Sequence, residues 1–107
     1  PSLEYSVKDL FEVKPSYTDP KSNIVQTIED SITEILGVKP EYVVSPGSYD
    51  QKHIDRIGKL KNCIAYGPGI LELAHQPDEF ILISDMLDSA KIMAMTISKL
   101  LNEDVIN

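Results

Sequence analysis

Cysteine is nearly absent from this 107-residue chain, where Cys63 stands alone. One thiol cannot form an internal disulfide, so a disulfide-stapled fold is excluded and nothing points to an oxidising compartment. Tryptophan is missing altogether and aromatic residues make up only 7%, which leaves the core to aliphatic side chains. No apolar run approaches the ~20 residues that cross a bilayer, and no secretory leader precedes the first apolar stretch. A cytoplasmic protein is the resulting expectation. Basic residues are also few: ten against seventeen acidic ones leave a net charge of −7. Such a surface repels phosphate backbones and anionic headgroups, so neither nucleic acid nor a membrane is expected as a partner.

What is present suits one small folded domain. The hydrophobic share of 42% can furnish a modest core at this length, which argues against intrinsic disorder. In Leu3–Val7, Leu3, Tyr5 and Val7 alternate with Glu4 and Ser6, the period of a strand with one wet face. The segment from Lys14 to Pro20 has two prolines and no period, as a linker or hinge would.

A first helix is expected to open with Asp19 as cap and Pro20 in its first turn, and to end at Gly37 before Pro40. Its apolar stripe is Ile24, Val25, Ile28, Ile32, Ile35 and Leu36. Tyr42-Val43-Val44 reads as a short apolar strand. Ser48 with Gln51 fits a capping box for a short helix that buries Ile54 and Ile57 and stops near Gly58. Cys63–Tyr66 and Phe80–Ile83 read as short buried strands. A last helix is expected from a Ser84 cap to about Leu101, with Met86, Leu87, Ala90, Met93, Ala94, Ile97, Leu100 and Leu101 on its core stripe. Ile92 and Met95 fall off that stripe and hint at a further neighbour. Alternating strands and helices predict an α/β fold with a partial sheet and covering helices.

Few residues offer chemistry. Cys63 sits in an apolar run, where its thiol would be inert. No serine lies in a G-x-S-x-G context, and Gly67-Pro68-Gly69 lacks the spaced glycines and lysine of a phosphate loop. His53 stands among Asp50, Lys52 and Asp55 on the short helix, which suits a solvated role. His75 lies in the loop Ala74-His75-Gln76-Pro77-Asp78-Glu79 between two expected strands, a place where α/β proteins put their sites. Imidazole is a frequent zinc ligand, but a catalytic zinc takes about three protein ligands.

Three stretches together carry a resemblance: Ser45-Pro46-Gly47-Ser48-Tyr49-Asp50-Gln51, Ile64-Ala65-Tyr66-Gly67-Pro68-Gly69, and Ala74-His75-Gln76-Pro77-Asp78-Glu79 ahead of a long closing helix. In this combination the chain resembles the C-terminal part of the zinc-dependent acetylornithine deacetylase and succinyl-diaminopimelate desuccinylase family. The resemblance implies the C-terminal part of a co-catalytic metallopeptidase catalytic domain over residues 21–107. Residues 1–14 are then similar to the last strand of an inserted lid domain, and 15–20 to the hinge. Opening on Pro1 is consistent with a cut inside that strand.

The implied activity is hydrolysis of an amide bond in N-acyl amino acids or small peptides. It uses two zinc ions, with cobalt or manganese as alternatives, that activate a bridging water. By residue matching, His75 is implied as one metal ligand. Gly47 and Ser48 match the segment that holds the substrate's carboxylate, although many relatives have Gly-Gly-Thr-Ser-Asp there. The family's remaining ligands and its glutamate base belong upstream of the matched stretch, so no catalytic residue is assigned here. The chain alone is expected to be an inactive fragment that binds no metal stably. Its expected partners are the substrate of the parent enzyme, the missing N-terminal part of the same protein and a second copy in a homo-oligomer. The competing expectation is a non-catalytic α/β module for interaction or dimerisation.

Overall fold

The first helix, α1, forms over Asn23–Leu36 because its residues place a continuous half-buried row, Ile24, Ile28, Ile32 and Ile35, on one side. Its start differs from the expected Asp19 cap. The Asp19 Oδ1 accepts the Lys21 N–H at 2.8 Å and the Asp19 carbonyl accepts the Ser22 N–H at 2.9 Å, a turn that uses up Asp19 and Pro20 before the helix begins. Ser22 is the N-cap residue, with no side-chain cap bond. The stop falls where expected. Gly37 takes the left-handed conformation, φ 72°, and donates its N–H to Thr33 O, a geometry glycine adopts at least cost.

Three further elements complete the regular structure in this computed structural model, which describes residues 2–106: α2 at Gln51–Arg56, a 3-10 turn at Leu71–Leu73 and α3 at Ile83–Ile106. At 24 residues, α3 is roughly 36 Å long. It begins one residue before the expected Ser84 cap and runs past Leu101.

The core is the crossing of α1 and α3. Val25 on α1 and Ile92 on α3 are its buried apolar residues, and four small hydroxyl side chains, Thr27, Ser31, Ser89 and Thr96, are buried with them. Ser31 Oγ donates to Thr27 O at 3.0 Å and Thr96 Oγ1 donates to Ile92 O at 2.7 Å. By bonding back into its own helix, each of these two hydroxyls enters the interface without an unmet donor. At the edge, Lys99 Nζ on α3 pairs with Glu34 Oε2 on α1 at 3.0 Å.

The expected α/β fold is corrected here. Among the described residues there is no strand, and the regular structure is helical throughout. The segments read as strands, Leu3–Val7, Tyr42–Val44, Cys63–Tyr66 and Phe80–Leu82, have no strand assignment, and Ile83 opens α3. A strand exists only as part of a hydrogen-bonded ladder, and short apolar runs do not carry that pairing in themselves. These runs lie open instead: Val43 is 81% exposed and Val44 95%. The radius of gyration, 18.6 Å, exceeds the about 13 Å of a compact chain of similar length.

The faces of α3 are likewise the reverse of the expectation. Ile92, expected off the core stripe, is the most buried apolar side chain, and Met95 is half-buried beside it. The expected stripe faces outward, with Met86, Leu87, Met93, Ile97 and Leu101 all exposed. Hydropathy ranks Ser89 and Thr96 as polar and so hides the face on which small side chains let two helices approach.

Candidate functional site

Two loops carry the site residues singled out by sequence. His75 sits on the turn between the 3-10 segment and α3. Its backbone is in the left-handed region at φ 61°, as is Asp78 at φ 58°, an uncommon conformation for residues with a side chain. The turn is closed by Glu79, whose Oε2 accepts the His75 backbone N–H at 3.2 Å, and by the Gln76 N–H donating to Leu73 O at 3.1 Å. The His75 imidazole is exposed, free for a ligand outside this loop.

Gly47 and Ser48 lie in an exposed turn before α2. The Gly47 N–H donates to Ser45 Oγ at 3.2 Å, and Ser45 Oγ is 2.9 Å from Tyr49 Oη. Ser48 Oγ accepts a hydrogen bond from Lys52 Nζ at 2.7 Å. The expected capping box is absent: α2 starts from Asp50 without a side-chain cap bond, and the Gln51 amide reaches across to donate to Cys63 O. The stop near Gly58 holds, with its N–H directed to His53 O at 3.4 Å.

His75 is thus placed on one loop and the Gly47-Ser48 pair on another, and neither of two cavities in the chain is lined by any of the three. A metal fit fails on this chain's own residues. Among the described residues no three His, Cys, Asp or Glu side chains gather as a metal site would require. His53-Ile54-Asp55 spells a His-x-Asp triplet, but on α2 residues two apart face different directions, and the Asp55 carboxylate is already paired with Lys61. Cys63 is a half-buried free thiol.

Two features were not legible in the sequence. Thr18, in the proline segment, clasps the 61–63 backbone: its Oγ1 lies 2.9 Å from Lys61 O and 2.7 Å from Cys63 O, and accepts the Cys63 N–H at 3.3 Å. The other is an electrostatic knot after α1. Glu29 accepts from the Tyr42 hydroxyl and pairs with Lys39 at 3.3 Å. The Tyr42 hydrogen bond, aided by Lys39, holds the Glu29 carboxyl below its ordinary range, and the same bond raises the Tyr42 phenol.

Residues 4–99 match the model of peptidase family M20/M25/M40. The chain belongs to that family. An M20 relative in Pyrococcus abyssi, provisionally named a LysW-lysine/LysW-ornithine hydrolase, is 32% identical over 99 residues, covering 91% of this chain and 28% of that protein. A succinyl-diaminopimelate desuccinylase of Nitrosomonas eutropha is 29% identical over 102 residues, covering 95% of this chain and 26% of that enzyme. The Pyrococcus horikoshii protein of the former name is 32% identical, with 94% and 30% covered. These M20 relatives carry the names of hydrolases, and the chain spans less than a third of the length of each. No solved structure matches it. No helix among the described residues is long and apolar enough to cross a membrane.

Proposed function

We propose that this chain is the C-terminal portion of a metal-dependent M20 amidohydrolase that releases acyl groups from N-acyl amino acids or small peptides, of the deacetylase or desuccinylase type. The observation that carries the reading is the family match over residues 4–99. In this assignment residues 1–14 end a lid domain, 15–20 form the hinge and 21–107 belong to the catalytic domain. His75 contributes one imidazole to a metal pair, zinc with cobalt or manganese as substitutes. Its exposed ring and the backbone bond to Glu79 suit a ligand whose partners come from elsewhere. Gly47 and Ser48 hold the substrate's carboxylate.

The chain alone is inactive on this reading, because one imidazole does not hold a catalytic ion, and the working protein is cytoplasmic. The test is direct. The purified chain, supplied with zinc, cobalt or manganese, is assayed against N-acetyl and N-succinyl amino acids. No turnover is expected, and metal-dependent deacylation by the 107 residues would overturn the assignment. Reading the coding sequence upstream of Pro1 supplies the positive arm: an in-frame segment with further His, Asp and Glu ligands supports the enzyme.

A second reading, a non-catalytic module for dimerisation, is favoured by the apolar surface left open: Leu3 is 92% exposed, Tyr5 86% and Val7 81%. Exposed apolar surface of this kind marks interfaces. A start codon directly before Pro1, together with a concentration-dependent dimer, would select it.

A further inference from the structure

The chain's scarce positive charge is not spread evenly. A cleft of about 330 Å³ between the segment Phe11–Ser16 and α2 is lined by Lys14, Lys52, Arg56 and Lys61, four of the ten basic residues. The carboxylates on its walls are those of Glu12 and Asp55, so with His53 neutral the cleft has a surplus of two positive charges. Taking that surplus from the net −7 leaves −9 on the rest of the molecule. The cleft is therefore a positive island in a negative surface, and a concave site lined by one sign concentrates counter-ions.

The cations are also available. Asp55 neutralises Lys61, whereas Lys52 bonds only the uncharged Ser48 hydroxyl, at 2.7 Å. The side chains of Lys14 and Arg56 have neither a hydrogen bond nor an ion pair among the described residues. Arg56 presents a planar fork of donors that fits two oxygens of a carboxylate or phosphate at once. The volume lies within the roughly 300–1,000 Å³ of small-molecule sites.

We propose that the cleft between residues 11–16 and α2 binds a small dianion, a phosphate or dicarboxylate, held by Arg56 and Lys52 on α2 and by Lys14 on the facing segment. It is separate from the proposed role of His75 and needs no metal. An ion bound there bridges the proline segment to α2, alongside the clasp that Thr18 makes with residues 61–63.

The experiment titrates the full chain with inorganic phosphate in one arm and malonate in the other, followed by amide NMR. Saturable shifts confined to residues 11–16 and 50–61 are expected. The anion that binds more tightly identifies the source class. Lys14→Gln should weaken binding roughly tenfold, as the loss of one charge-assisted hydrogen bond would, and Arg56→Gln, which removes a bidentate contact, at least as much. Lys99→Gln, on the far helix, should leave it unchanged. Arg56 and Lys14 are both exposed, so neither variant is expected to disturb folding, and unchanged spectra outside the cleft verify this. Failure of both anions to saturate, shifts spread over all lysines, or full-strength binding by both variants would overturn the site. Deacylase assays play no part in the outcome, so this inference and the proposed function can fail separately.

Discussion

Replacing Ile92 by Ala removes three carbons from the most buried apolar side chain among the described residues, 1% exposed at the crossing of α1 and α3. At about 0.8 kcal/mol per buried methylene the transfer loss alone is about 2.4 kcal/mol. A cavity contribution adds to it, reduced where α1 and the Tyr66–Gly69 turn, which lines a cavity together with Ile92, close partly over the gap. The better helix propensity of Ala returns a few tenths of a kcal/mol. The expected cost is about 2–3 kcal/mol, a large share of the about 5–15 kcal/mol that holds an ordinary domain folded. The assay is urea unfolding followed by far-ultraviolet circular dichroism, with Ile97→Ala as the control. Ile97 lies on the same helix but is 57% exposed, so its change should stay within about 1 kcal/mol. If Ile97→Ala costs as much as Ile92→Ala or more, the outward-facing stripe carries the packing and the assignment of the core face is wrong.

Gly58→Ala should loosen the end of α2, because a Cβ there would stand 2.7 Å from the Ile54 carbonyl oxygen, the acceptor of the Leu60 N–H. The expected local cost is about 1–3 kcal/mol, read as faster hydrogen exchange at Leu60; unchanged exchange would refute it. Glu29 predicts a pH dependence. Its folded pKa lies below the unfolded value of about 4.3, chiefly through the Tyr42 hydroxyl and then Lys39. Its stabilisation is therefore fully present above that value and lost as pH falls through the folded pKa. Tyr42→Phe should raise the Glu29 pKa toward the ordinary range in a carbon NMR titration, and a value unmoved by the change would show that the hydroxyl is not the cause. The proposed assignment of His75 predicts that, in a longer protein that contains this chain and binds metal, His75→Ala loses one metal equivalent while the helical signal persists; unchanged metal content would refute that assignment.

Legibility in the sequence followed how local each cause is. Gly37 ends α1 where the sequence places the stop, because the αL stop is a property of one residue and its immediate backbone. The starts of α1 and α2 were misjudged for a related reason: Asp19 and Gln51 have other partners, the Lys21 N–H and the Cys63 carbonyl. In the case of Gln51 that partner is 12 residues away. Strands depend wholly on such distant partners, so Tyr42–Val44 and Cys63–Tyr66 read correctly as apolar runs and wrongly as sheet. The family resemblance was legible because it rests on side-chain identities at Gly67-Pro68-Gly69 and Ala74–Glu79, which need no knowledge of pairing. The faces of α3 show the limit most sharply. Hydropathy separates apolar from polar, but a helix crossing selects first by size: Ser89 is buried on α3 although its Oγ has no hydrogen-bond partner among the described residues. Ser31 on α1 and Thr96 on α3 are small and also satisfy their hydroxyls, by bonding the carbonyls four residues back. The buried face was therefore written in serine and threonine around a single isoleucine, while the larger apolar stripe on α3 was left facing outward.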